Sequence, residues 1–122
     1  MNTLPKSERI RGKASVSALM SKGRWGFARG LKYCYLRRED EGGAPLPGRV
    51  LVSVPKRLFK RAVKRNLLKR RLREAYRTQK GLVPCQGIDL MLLYNTGEIM
   101  DMETVAGEVA AILKKIGDEG QL

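Results

Sequence analysis

Residues 56–80 contain neither glycine nor proline and consist mainly of leucine, arginine and lysine, which are good helix formers. At about 100° per residue, Leu68, Leu72 and Ala75 fall on one side of the predicted helix, within roughly 60° of one another. We expect this apolar stripe to pack against a β-sheet. Gly81 follows the segment and predicts the end of the helix.

The same segment carries most of the charge of the chain. Residues 56–77 hold 11 lysines and arginines against the single acid Glu74, which accounts for +10 of a net charge of +13. An exposed helix side without a partner would be expected to interleave acidic residues, because cations at i, i+3 and i+4 repel one another. Phosphate binding explains the pattern better, since arginine can grip a phosphate through two N–H groups. The predicted nucleic-acid-binding residues, which the resemblance described below assigns to RNA binding, are Lys60, Arg61, Lys64, Arg65, Asn66, Lys69, Arg70 and Arg73.

Length and composition indicate a single unit. With 122 residues and 43% hydrophobic content, we expect one nucleic-acid-binding domain, residues 1–122, with a basic N-terminal segment over 1–12 and a C-terminal tail over 117–122. Residues 1–87 have a net charge of +18 and residues 88–122 one of −5. The C-terminal part is therefore expected to face away from a polyanion.

The composition also excludes several kinds of site. The chain has no histidine, which removes the commonest general base and the commonest zinc ligand. We interpret the acidic residues within 39–41 and 98–103 as loop and helix-start charges, so we predict no catalytic residue and no metal site in the protein. Cys34 and Cys85 lie 51 positions apart and are interpreted as free thiols. Because no apolar run reaches about 18 residues and no signal peptide is recognisable, we expect a cytoplasmic protein without membrane contact.

Hydrophobic periodicity predicts the element order αββαβα. The predicted elements are a helix over 13–22, strands over 31–36 and 49–54, the cationic helix, a strand over 87–94 and a helix over 102–116. The first two strands are expected to form a hairpin through the turn-forming residues 39–48. The predicted fold class is α+β, a two-layer sandwich of a small mixed β-sheet with helices on one face.

The cationic helix carries a motif that resembles one family. The pattern A-V-x-R-N-x-x-K-R-x-x-R-E-A-aromatic is present as Ala62, Val63, Arg65, Asn66, Lys69, Arg70, Arg73, Glu74, Ala75 and Tyr76. It resembles the Arg-Asn-Arg motif helix of the bacterial ribonuclease P protein component. The resemblance covers nearly the whole chain, because the segments LPKSERIR, RVLVSVPKR and GIDLMLLY are similar to the family's N-terminal segment, to the strand before its motif helix and to a later buried strand.

Three positions depart from the family's pattern. Leu67 stands where the motif has its second arginine, so that contact is absent or is taken by Lys64 or Arg71. The link PKRLFKRAV is bulkier and one residue longer than the glycine-containing link of the family. Val16 and Met20 occupy first-helix positions where relatives have aromatic residues, which weakens a stacking role for this helix.

The resemblance implies a function in tRNA processing. In the family, the holoenzyme removes the 5′ leader of precursor tRNA by hydrolysing one phosphodiester bond, and a large RNA subunit with bound magnesium ions performs the chemistry. The protein subunit docks on that RNA through the motif helix. It holds the single-stranded leader in a cleft between the sheet and the first helix, which implies Tyr33, Tyr35, Val16 and Met20 as cleft residues here. The resemblance also implies a left-handed βαβ crossover, and it implies the RNA subunit and precursor tRNA as partners, with no protein partner required.

Alternatives stay open on the sequence alone. A small structural RNA-binding protein of ribosomal type shares the basicity and the α+β plan but would not accelerate cleavage. A membrane-surface or partner-binding amphipathic helix over 56–77 is disfavoured, because cations surround nearly all of the helix outside its leucine stripe. For Tyr33 and Tyr35, stacking on leader bases, worth about 1–3 kcal/mol per base, and packing against a helix are about equally supported.

Overall fold

A computed structural model describes Ile10 and residues 13–37, 48–79 and 88–119. It contains four strands and three helices within those ranges. The elements are α1 (Lys13–Lys22), β1 (Arg24–Ala28), β2 (Leu31–Arg37), β3 (Arg49–Ser53), α2 (Ala62–Gln79), β4 (Ile88–Tyr94) and α3 (Met102–Glu119). The predicted α+β class with a mixed sheet is confirmed. The sheet has one strand more than predicted, because β1 was missed.

The strands follow the order β1-β2-β4-β3 across the sheet. β2 pairs antiparallel with both β1 and β4, and β3 pairs parallel with β4. The predicted hairpin between residues 31–36 and 49–54 is therefore wrong, since β4 lies between β2 and β3. β4 is buried on both faces along nearly its whole length, which suits a central strand.

The hairpin that does form joins β1 to β2. Gly30 adopts a φ of 79° in the connection, a left-handed conformation that glycine accepts at little cost. Within β1, the ring of Tyr33 lies over Gly26, where an added Cβ would come within 2.4 Å of the ring atoms. β1 was missed because it is only five residues long and is interrupted by this glycine, which weakens its strand signal.

Helices cover both faces of the sheet. α2 and α3 pack on one face, here called the helix-pair face, over a core that includes Leu31, Tyr33, Leu90 and Leu92. α1 packs on the opposite face, here called the α1 face, through Leu19, Cys34 and Met91. The prediction that all helices share one face is therefore wrong. The pleat sends alternate residues of each strand to opposite sides, and both sides of β2 and β4 are apolar enough to need a cover.

α2 begins later than predicted. The backbone N–H of Leu58 donates to the carbonyl of Pro55 (3.1 Å), so the chain turns after β3 instead of entering the helix at residue 56. Phe59 is buried and contacts the Tyr94 ring edge-on at 5.7 Å between centroids. Burial of this one side chain outweighs the helix propensity of the lysines and arginines around it. Residues 56–61 therefore form a cationic loop that leads into α2.

Two terminal segments were predicted, a basic N-terminal segment over 1–12 and a C-terminal tail over 117–122. The segment 1–12 lies outside the described residues except for Ile10, a buried residue whose N–H donates to the carbonyl of Val50 (3.1 Å). α3 extends to Glu119, so residues 117–119 are helical and do not belong to a C-terminal tail. The turn predicted over 39–48 also lies outside the described residues, except for Gly48. None of the described helices is both long enough and apolar enough to cross a membrane.

Candidate nucleic-acid interface

The rotation of α2 about its axis is set by its apolar side. Leu68, Leu72, Ala75 and Tyr76 are buried against the sheet and α3, each with at most 1% of its surface exposed. The opposite side of the helix is therefore turned to solvent. Of the predicted RNA-binding residues, Asn66, Arg70 and Arg73 are exposed on that side. Lys64 is exposed in the first turn of the helix, and Lys60 and Arg61 are exposed in the preceding loop.

The positive charge on the solvent-facing side of α2 is not offset by acids of the same helix. Glu74 is the only acid in α2, and it forms an ion pair with Arg77, three residues further along. The hydrogen bond from Arg77 lowers the pKa of the Glu74 carboxyl. Glu74 and Arg77 thus neutralise each other, and α2 has no other acid to pair with its remaining lysines and arginines.

Arg65, the first arginine of the motif, turns back toward the protein. Its Nη1 donates to the carbonyls of Phe59 and Lys60, both at 2.8 Å, and the residue is half-buried. Arg65 therefore holds the cationic loop against the start of α2. Lys69 is also half-buried, so both residues present less of their surface than Arg70 does.

Arg71 also has a structural role. Its Nη1 donates to the carbonyl of Met100 at 2.6 Å, which ties α2 to the segment before α3. Arg71 was one of two cations expected to replace the arginine missing at Leu67. Because Arg71 is held at Met100, the exposed Lys64 is the better placed of the two.

The four residues predicted for a leader cleft do not share a surface. Tyr33 is only 2% exposed and packs in the core of the helix-pair face. Tyr35 points to the same face, is half-buried, and lies 6.5 Å from Tyr33 between ring centroids. Val16 and Met20 belong to α1 on the other side of the sheet. The predicted grouping is wrong because the strand pleat directs Tyr33 and Tyr35 away from α1.

Two aromatic residues that the sequence analysis missed lie on the α1 face. Trp25 and Phe27 of β1 are opposite Cys34 and Lys32 in the strand register, and they are 41% and 66% exposed. The Lys32 ammonium lies 4.8 Å from the Trp25 ring centroid and 5.4 Å from that of Phe27, within cation–π range. The sequence signal was the alternation of aromatic and small residues in RWGFA.

Met20 completes this group. The indole Nε1–H of Trp25 donates to the Met20 carbonyl at 3.3 Å, and the Met20 side chain is 50% exposed. Met20, Trp25, Phe27 and Lys32 are here called the aromatic surface. It combines exposed aromatic rings with a cation, which are the groups that bind unstacked bases and their phosphates.

The described residues do not offer a metal site. No three histidine, cysteine, aspartate or glutamate side chains lie close enough together there to hold an ion. Asp89 is buried, but it is engaged by Arg49 through Nε (2.8 Å) and Nη2 (2.6 Å). Cys34 is a buried free thiol, and Cys85 lies outside the described residues.

The sequence of the chain is similar to those of known ribonuclease P proteins. A family model described as Ribonuclease P matches residues 4–117. The ribonuclease P protein component of Chlorobaculum tepidum is 44% identical over 85 residues, which cover 67% of this chain and 54% of that protein. That of Gluconacetobacter diazotrophicus is 31% identical over 116 residues, covering 94% and 96%. The match thus spans about half of the Chlorobaculum protein and nearly all of the Gluconacetobacter protein.

Solved structures show the same fold. The RNase P protein of Staphylococcus aureus superposes with a TM-score of 0.72 at 22% identity, over 91% of this chain and 95% of the other. The RNase P protein of Thermotoga maritima gives a TM-score of 0.74 at 24% identity, over 88% and 96%. The arrangement of the four strands and three helices is therefore shared despite low sequence identity.

Proposed function

Because this chain belongs to the ribonuclease P protein family, we propose that it is the protein subunit of a ribonuclease P and that its RNA subunit binds along α2. The observation that supports this most directly is the exposure of the side of α2 that bears Asn66 and Arg70. Had apolar neighbours covered that side, no polynucleotide would reach it. The buried side chains of α2 are instead Leu68, Leu72, Ala75 and Tyr76.

The chemistry of this surface suits folded RNA. Each phosphate neutralised by a lysine or arginine releases condensed counterions, which makes binding favourable and sensitive to salt. We propose that the RNA performs the phosphodiester hydrolysis and holds the magnesium ions it requires. The described residues of the protein do not fit a metal ion, and none is assigned a catalytic step. The protein's contribution is charge neutralisation beside the RNA and binding of the substrate.

We assign the precursor tRNA leader to the aromatic surface. Trp25 and Phe27 present exposed rings on which unstacked bases of a single strand can stack, at about 1–3 kcal/mol per base. Lys32 lies between them and can pair with a leader phosphate. Tyr33 has no exposed ring to offer. This assignment keeps the leader between the sheet and α1 but moves its aromatic contacts from β2 to β1.

The decisive experiment measures cleavage of precursor tRNA by a bacterial ribonuclease P RNA at low magnesium, with and without the protein. We expect the protein to raise the cleavage rate and lower the magnesium requirement. A structural RNA-binding protein of ribosomal type would bind RNA without changing the rate. No acceleration would therefore favour that alternative.

A pair of charge variants makes the test specific to α2. Lys64→Ala with Arg70→Ala removes two exposed cations from the proposed interface. Lys114→Ala with Lys115→Ala removes two exposed cations from α3. We expect the first variant to lose most of the acceleration and to flatten the slope of log affinity against log salt by about 0.7–0.9 per lost phosphate contact. The α3 variant should behave like the unaltered protein.

A further inference from the structure

Two exposed apolar side chains lie among the lysines and arginines of α2. Val63 is 79% exposed, the largest value among the large hydrophobic residues that the structure describes, and Leu67 is 37% exposed. They are four residues apart, so they are neighbours on one side of the helix. Leaving them in water forgoes the free energy that burial of such side chains provides.

The position of the pair on the helix does not explain this exposure. Val63 precedes the buried Leu72 by nine residues, which at about 100° per residue places the two on opposite sides of the helix. Val63 therefore does not lie at the edge of the core. At the same spacing, Val63 lies about 20° and Leu67 about 60° from the direction of Arg70, both on the same side of it, so the pair belongs to the solvent-facing side of the helix.

The charges around the pair select the kind of partner. Lys64 and Arg70 are exposed next to it, and the only acid of α2, Glu74, is already paired with Arg77. A second copy of this chain seated on the pair would bring two such helices together and confine like charges at short range, which is unfavourable. A polyanion has the complementary charge, but its phosphates gain nothing from valine or leucine. The part of RNA that does is the face of a base exposed from the stack.

We propose that Val63 and Leu67 contact an unstacked nucleobase of the RNA subunit, so that α2 reads one feature of RNA shape between its phosphate contacts. The inference rests on the proposed function, because it takes the RNA subunit as the partner. It assigns to Leu67 a contact different from the one an arginine would make there. Phosphate contacts weaken with salt, whereas an apolar contact with a base does not, and this difference makes the inference testable.

The test measures the dissociation constant for a bacterial ribonuclease P RNA over a series of salt concentrations. The variant combines Val63→Ala and Leu67→Ala, which removes apolar surface while keeping or improving helix propensity. We expect affinity about tenfold weaker at every salt concentration, with an unchanged salt slope. Leu67→Met retains apolar volume and should keep the affinity, and Ile99→Ala, at a residue 47% exposed outside α2, is the matched control.

The possible failures are distinguishable. If the unaltered protein does not bind the RNA, the proposed function itself fails. If Lys64→Ala with Arg70→Ala weakens binding but the apolar variant binds normally, only the present inference is overturned. A loss of affinity together with a flatter salt slope would also overturn it, because the pair would then act by positioning cations. Sedimentation of the free protein tests whether a second copy of the chain binds the pair instead. If the apolar variant self-associates less than the unaltered protein but binds the RNA equally well, the pair belongs to a contact between two copies and the inference is overturned.

Discussion

Individual side chains of this protein divide into those that hold the scaffold and those that face outward. Arg65 and Arg71 both lie in the cationic segment, yet both donate hydrogen bonds to backbone carbonyls of the protein itself. Lys64 and Arg70 are exposed. Residues of one chemical type therefore serve two purposes within a single helix, and charge patterning alone does not separate them. Substitution of Arg65 would disturb the cationic loop as well as any RNA contact.

Asp101 provides a test at the scale of one residue. Its Oδ1 accepts the backbone N–H of Thr104 at 2.8 Å, which caps the start of α3. The hydrogen bonds from Thr104 lower the pKa of the Asp101 carboxyl. The pKa of Asp101 is therefore lower in the folded state than in the unfolded state. The stabilisation is present above the pKa of the unfolded state and is lost as the pH falls through the pKa of the folded state.

We therefore expect Asp101→Ala to lower the urea midpoint of unfolding at neutral pH, and to lower it less in acid. Asp101→Asn should keep most of the stability at neutral pH, since asparagine is an equally good cap, and should remove the pH-dependent part. Urea unfolding at neutral and acidic pH measures both effects. Equal losses for Asp101→Ala at both pH values would contradict a contribution from the ionised carboxyl.

At the scale of elements, β1 decides where the exposed aromatic rings lie. The hairpin turn at Gly30 places β1 at the edge of the sheet beside β2, with Trp25 and Phe27 on the α1 face. The tyrosines of β2 instead complete the core under α2 and α3. Because residues two apart in a strand point to the same face of the sheet, Tyr33 and Tyr35 both face α2 and α3 and cannot reach the side that α1 occupies.

A substitution series compares the two strands. Trp25→Ala and Phe27→Ala should weaken binding to precursor tRNA with a leader, by about fivefold or more each, and leave the affinity for mature tRNA unchanged. Tyr33→Ala should instead destabilise the fold by about 3–5 kcal/mol, because its ring is buried. Binding of both tRNAs by the holoenzyme and urea unfolding of each variant are the measurements. Equal losses for the two tRNAs with Trp25→Ala would argue against leader stacking.

At the scale of the whole molecule, opposite charges are segregated along the chain but not widely separated in space. Residues 88–122 carry a net charge of −5, and they include α3, which packs directly against α2. Gln79 of α2 donates to the carbonyl of Ala106 in α3 at 2.8 Å, so the helices are also tied by a hydrogen bond. The cationic loop and α2 nevertheless hold 11 lysines and arginines against the single acid Glu74, so the self-repulsion of the free protein is concentrated in these two segments.

This repulsion predicts a trade-off between stability and binding. Lys64→Ala with Arg70→Ala removes two of the crowded cations and adds good helix formers, so the free variant should be more stable than the unaltered protein at low ionic strength. The gain should shrink near 1 M salt, where the screening length falls to about 3 Å. Urea midpoints at both salt concentrations test this, with Lys114→Ala and Lys115→Ala as the charge-matched control. A gain that does not change with salt would show that helix propensity, not repulsion, is responsible.

The sequence by itself determined the cationic helix with its leucine stripe, the α1 boundaries and the family resemblance. These follow from periodicity and motif spacing, which are local properties of the chain. Only the tertiary structure decided that β4 separates β2 from β3, that α1 covers the opposite face and that Phe59 delays the start of α2. Periodicity shows which side of an element is apolar, whereas the element that covers it depends on contacts between distant parts of the chain.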